Sequence, residues 1–162
     1  MLGYEDLALI ERVHCNFLRK LFKLRKSTPL YMLYGETGRY PLSIVIKSKI
    51  IGYWLSLLNG DTNKLSFKLY KCMLNTPNFE SKWVKNIKSI LIETGNTDLW
   101  EQQDTIHNIL IKSRIKQTLI DQNQQHWHSQ LEHSNKGKSY AVFKDKICME
   151  EYLTKLNMLL VP

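Results

Sequence analysis

The sequence predicts an all-α protein, a single irregular domain of about six to eight helices. Three observations predict it. Apolar residues recur at three- and four-residue spacing along most of the chain, and strand-like alternation is confined to Leu42–Ile46, which the continuation carries into a helix. The core is built from large aliphatics: Leu and Ile supply 38 of 162 residues, whereas Ala occurs twice. Gly and Pro number only 7 and 4, and Pro29, Gly35, Gly38, Pro41, Gly60, Pro77 and Gly95 fall where helices need to stop or start.

The first element is an amphipathic helix over residues 5–26. Leu7, Ile10, Val13, His14, Phe17, Leu21 and Leu24 share one side, and Arg12, Asn16, Arg19, Lys23 and Lys26 share the other. Ser27-Thr28-Pro29 stops it and starts a second, with Thr28 as N-cap and Pro29 at the first helical position. That short helix through Tyr31, Met32 and Tyr34 is expected to end at Gly35, and Gly35 and Gly38 bracket a turn. Residues 42–58 are apolar on most of their circumference, which predicts a central buried helix ended by Asn59-Gly60-Asp61. Further helices are expected over 62–75, broken by Thr76-Pro77, and over 81–93, capped by Gly95. A long helix is read over 105–131. Ser134–Ser139 reads as a polar loop, and Tyr140–Phe143 and Met149–Leu160 carry short apolar patterns. The chain divides at residue 60 into a 1–60 part and a 61–162 part, either one domain or loosely attached.

Charge narrows the class. The net charge is +8, and the excess is uneven. Residues 1–60 hold nine basic and four acidic side chains, whereas residues 96–162 hold eight of each. From Arg12 to Lys49 the only acid is Glu36. A basic end beside a neutral end suggests a surface facing a polyanion. Cys15, Cys72 and Cys148 lie far apart and are odd in number, which argues for a reducing, intracellular compartment, nuclear or cytoplasmic. Lys47 and Lys49 interrupt the longest apolar stretch, so no membrane span is expected. Met1–Arg12 lacks the uninterrupted apolar run of a signal peptide.

Motifs for catalysis are lacking. Gly137-Lys138-Ser139 matches the end of a P-loop, but position 132 is Glu where that loop needs Gly. His126, His128, His133 and Cys148 cluster in sequence, yet residues two apart on a helix point apart, so no metal site is expected. No Ser sits in a G-x-S-x-G elbow. The chain contains no Asp-Asp pair with which to hold two polymerase metal ions. No catalytic residue, cofactor, metal or small-molecule substrate is therefore expected.

The best constellation is the basic helix with its neighbouring aromatics. Arg12, Arg19, Lys20, Lys23, Arg25, Lys26 and Arg39 are placed to meet phosphates, with Tyr31 and Tyr34 as candidates to stack on unpaired bases. The competing reading has the cations solvated and the tyrosines packed on the core.

The run Leu9-Ile10-Glu11-Arg12-Val13-His14, then Phe17-Leu18-Arg19-Lys20, Lys26-Ser27-Thr28-Pro29 and Tyr34-Gly35-Glu36-Thr37-Gly38-Arg39-Tyr40-Pro41-Leu42, resembles the region just after the reverse transcriptase domain in LINE-type (non-LTR) retrotransposon reading frames, especially jockey-like elements. Ile46-Lys47, Tyr53-Trp54, Ser81-Lys82-Trp83 and Trp127-His128-Ser129 continue it, so the resemblance reaches to about Leu153. It implies that residues 1–60 are thumb-like and 61–162 a helical connector. It also implies that the metal-binding aspartates and the endonuclease of such RNA-directed DNA polymerases lie upstream of the region represented here. The implied role is non-catalytic, sequence-independent binding of RNA, DNA or an RNA–DNA hybrid beside a polymerase domain. The rival expectation is a helical remnant whose apolar faces once packed on that domain.

Overall fold

A computed structural model describes residues 7–76, 81–103 and 108–153. The first helix, α1, is Leu7–Leu21. The periodicity carries it to residue 26, but the structure stops it five residues sooner. Leu24 N–H bonds to the Arg19 carbonyl at 2.8 Å and Lys23 N–H to the Lys20 carbonyl at 3.2 Å. Lys23 adopts the left-handed φ of 52° that this Schellman closure requires. Leu24 then folds back onto the cluster of Cys15, Leu18, Phe22, Leu33, Tyr34 and Leu153.

The buried face of α1 also differs from the one expected. Cys15, Leu18 and Phe22 are buried, with Glu11 half-buried among them. Val13 and Phe17, read as part of the apolar underside, are 64% and 60% exposed, and Leu9 joins them at 52%. At 100° per residue Leu9, Val13 and Phe17 share the outer face with Arg12, Asn16 and Lys20.

Helix α2 is Leu30–Thr37, and Pro29 stands immediately before it. It passes through Gly35, where a stop was expected, and ends at Gly38, which is left-handed at φ 63°. Thr37 is buried and its hydroxyl donates to the Leu33 carbonyl at 2.7 Å, which lets a threonine occupy the last turn. Helix α3, Leu42–Leu58, matches its predicted bounds and buries Ile44, Ser48, Ile51, Trp54, Leu55 and Leu57. Helix α4 is Leu65–Asn75. Helix α5, Lys82–Glu93, is capped by the Ser81 hydroxyl accepting from Val84 N–H at 3.2 Å. It closes through Gly95 at φ 66°, with Asn96 N–H on the Leu91 carbonyl at 2.8 Å. Helix α6 is the single turn Asp98–Glu101, and α7 is Asn108–Glu132.

Helix α8, Asn135–Ala141, replaces the expected polar loop. Ser134 accepts from Gly137 N–H at 2.9 Å and caps it, and Gly137 lies too close to the Leu131 backbone for any side chain. Residues 5 and 6 of the first predicted helix, 105–107 of the long one, Pro77 and most of Met149–Leu160 lie outside the described residues. Eight α-helices and one isolated bridge, Thr37 to Met149, make the described residues all-α. No single helix among them is long and apolar enough to cross a membrane.

The described residues fall into two compact units that do not follow the division at residue 60. One comprises the described residues of 44–119; the other combines 7–43 with 120–153. In the first, Trp54 stacks on Trp100 at 6.0 Å and donates its indole N–H to the Tyr70 hydroxyl at 3.0 Å. Tyr70 in turn donates to Gln103 Oε1 at 2.8 Å, and the Trp83 ring meets Tyr70 edge-on at 5.8 Å. Arg114 reaches Asn96 at 2.7 Å.

The second unit is organised around the motif Tyr34–Leu42. Glu36 accepts from the hydroxyls of Tyr140, at 2.6 Å, and Tyr152. Its backbone carbonyl accepts from Glu150 N–H at 3.2 Å. Lys144, buried, donates to Glu150 and to the Cys148 carbonyl at 2.8 Å. Trp127 donates its indole N–H to the Tyr31 carbonyl at 2.7 Å, and Gln124 reaches the Tyr40 hydroxyl at 3.0 Å. Gly35 is tight: a Cβ there would stand 2.5 Å from Tyr140 Oη and 3.2 Å from the Trp127 ring.

Candidate functional site

The predicted nucleic-acid residues separate into two groups. Arg12, Lys20, Lys23, Arg25, Lys26 and Arg39 are exposed. The helix expected to carry Lys23 and Lys26 in one row ends before them, so they sit on the closing turn and the segment after it. Arg19 is half-buried and turned inward. It donates to the Thr28 carbonyl at 2.9 Å and to Asn16 at 3.5 Å, pinning the 22–28 segment to α1.

The tyrosines are also committed. Tyr34 is 7% exposed and donates to Glu11, so its ring is not available to stack on a base; that expectation is corrected by its burial. Tyr31 is half-buried, with its hydroxyl 3.2 Å from Ser134 and its ring 6.4 Å from that of Tyr140. Gly137-Lys138-Ser139, the P-loop-like string, lies within α8 and forms no loop.

The most developed polar site centres on Glu11, a residue to which the sequence reading gave no role. It lies at the middle of the buried face of α1. Its Oε1 accepts from the Tyr34 hydroxyl at 2.7 Å and stands 3.4 Å from His14 Nδ1 and 3.7 Å from Cys15 Sγ. Its Oε2 accepts from the backbone N–H of Leu42, the first residue of α3, at 2.7 Å. That amide belongs to the helix's unpaired first turn, where a carboxylate is favoured by both hydrogen bonding and the helix dipole. Cys15 Sγ is 3.3 Å from the Tyr34 hydroxyl. Burial pushes the Cys15 thiol up, and burial together with the hydrogen-bonded Cys15 and Glu11 pushes the Tyr34 phenol up, so both hold their protons in the folded chain.

A cavity of about 320 Å³ opens beside this cluster. Glu11, Tyr34, Asn123, His126 and Gln130 give it polar groups, and Leu7, Leu30, Pro41 and Trp127 give it apolar walls. All its lining residues belong to one of the two compact units. His126 lines the cavity mouth and is exposed, as are His128 and His133, and these histidines form no shared metal-ligating group with Cys148 among the described residues.

Two sequence signals could have located this site. Glu11, His14 and Cys15 stand at i, i+3 and i+4, the spacing that puts side chains on one helix face. The Tyr34–Leu42 string supplies the partner hydroxyl and the amide. The apolar period alone favours a face through Val13 and Phe17, to which Glu11 does not belong. Comparison with protein-family models, with curated proteins and with solved structures finds no match to this chain.

Proposed function

We propose that the chain is a non-catalytic module that binds nucleic-acid backbones without sequence preference, in the manner implied by its resemblance to the post-polymerase region of LINE-type reverse transcriptases. The observation that carries this reading is the concentration of exposed cations at the end of α1. Lys20, Lys23, Arg25 and Lys26 fall within seven consecutive positions around the left-handed turn, with Arg12 two turns earlier on the exposed face. Glu36, the one acid between Arg12 and Lys49, is engaged by Tyr140 and Tyr152. Such a group binds phosphates by releasing counterions, and its affinity falls steeply with salt.

The test is fluorescence anisotropy against a labelled RNA–DNA hybrid across a salt series. Neutralising Lys20, Lys23 and Lys26 together should flatten the log–log salt slope by roughly two to three units, about 0.7–0.9 per phosphate contact. An unchanged slope removes these lysines from the interface.

A second reading is favoured by the exposed row Leu9, Val13 and Phe17 on the same face of α1. Three large apolar side chains in line form a surface suited to a protein partner. On this reading the lysines and arginine near the end of α1 serve the helix dipole and solubility. Phe17→Ser would then abolish association measured by sedimentation, while leaving any salt slope on nucleic acid unchanged.

A further inference from the structure

We propose that Glu11, His14 and Cys15 form a binding site for a divalent transition-metal ion of the zinc class. The three offer one carboxylate oxygen, one imidazole nitrogen and one sulfur, whose thiol proton passes to solvent as the metal–sulfur bond forms, and these ligand atoms all lie within 4.8 Å of one another. A tetrahedral zinc ion, bonded at about 2.0–2.3 Å, spaces its ligand atoms about 3.3–3.8 Å apart. Glu11 Oε1 stands 3.4 Å from His14 Nδ1 and 3.7 Å from Cys15 Sγ. The helix therefore holds two edges of the tetrahedron near their ligated lengths.

The carboxylate is already oriented from outside the cluster. Tyr34 donates to Oε1 and Leu42 N–H to Oε2, the kind of outer hydrogen bonds that fix metal-ligating carboxylates. The charge is open to a cation as well. Among the described residues the basic group within ion-pair distance of Glu11 is His14, itself one of the three ligands. Three protein ligands leave a fourth position, and a cavity walled in part by Glu11 and Tyr34 lies beside the carboxylate. The site is independent of the nucleic-acid reading, because the exposed cations do not contribute to it.

The experiment is titration of the purified full chain with Co2+, followed by displacement with Zn2+. Bound Co2+ should give a thiolate-to-cobalt charge-transfer band and the intense visible bands of tetrahedral cobalt at one equivalent, and Zn2+ should bleach both. A Cys72→Ser/Cys148→Ser variant should keep the spectrum, Cys15→Ser should lose the charge-transfer band, and His14→Gln should weaken binding at least tenfold. Tyr34→Phe, which removes an outer hydrogen bond, should weaken it by about 10- to 100-fold. Absence of the spectrum in the wild-type chain, its persistence in Cys15→Ser, or its loss in Cys72→Ser/Cys148→Ser overturns the proposal. Should Cys15→Ser fail to give a helical protein by circular dichroism, His14→Gln decides alone. That side chain is only part-buried, and an unchanged cobalt affinity there also overturns the site.

Discussion

The hydroxyl of Tyr34 donates to the carboxylate of Glu11 at 2.7 Å across 23 residues of sequence, and the other oxygen of that carboxylate accepts from Leu42 N–H. Two donors thus converge on one side chain. Glu11→Gln keeps the shape but replaces one acceptor oxygen by an NH2 donor, which must then face another donor. We expect a loss of about 1–3 kcal/mol in urea denaturation, the usual cost of leaving a buried donor unpaired. In a double-mutant cycle, Tyr34→Phe should be non-additive with Glu11→Gln by at least about 0.5 kcal/mol. Additive losses would mean that the two groups do not share a bond in solution.

Gly35 and Gly38 should respond differently to alanine. At Gly35 the obstruction is the end of a side chain, Tyr140 Oη, so Gly35→Ala should be partly rescued by Tyr140→Phe. At Gly38 the obstruction is the Met149 backbone, and φ is 63°. No side-chain change relieves either, so Gly38→Ala should cost roughly 2 kcal/mol or more and resist rescue. Equal losses, both rescued by Tyr140→Phe, would contradict this account.

Lys23 holds a left-handed conformation that a side chain adopts only at a cost. Lys23→Gly should therefore raise stability by about 0.5–1 kcal/mol, and thermal unfolding should shift upward by roughly 1–4 °C. The control is Lys20→Gly, inside α1, which should lose about 1 kcal/mol. A loss of the same size at both positions would show that α1 continues through Lys23.

Alkaline pH should unfold the second unit. Burial and the neighbouring Glu36 hold the Tyr140 and Tyr152 phenols above their ordinary value of 10.0. Burial alone would lower the Lys144 ammonium, but its bonds to Glu150 and Cys148 more than offset this and leave it above 10.5. All three groups keep their protons more firmly when folded. Their stabilising contribution is complete below the unfolded values and is lost as pH rises through the folded ones. Urea midpoints should hold steady from about pH 7 to 9 and fall above about pH 10, with phenolate absorbance from the last tyrosines arriving only as helical dichroism is lost. Glu36→Gln should soften that dependence.

Much of the helical framework is legible in the sequence because its causes are local. The 42–58 helix follows from its apolar periodicity, Ser81 announces the start of α5, and Gly95 announces its closure. Lys23 makes the same closure as Gly95, yet nothing local marks a lysine for a left-handed turn; burial of Leu24 against the Cys15–Leu18 cluster sets it. Likewise, α1 carries two apolar rows, and periodicity alone cannot choose between them. Only packing against α2 buries Cys15, Leu18 and Phe22, leaves Val13 and Phe17 outside, and draws Glu11 inward to Tyr34 and Leu42. Local pattern suffices for the helical class of the described residues, the basic first third and the Gly-punctuated motif at 34–42. Tertiary structure decided which face of α1 is the core, and so which residues bear the candidate chemistry. That choice depends on partners far away in sequence, which a local period does not encode.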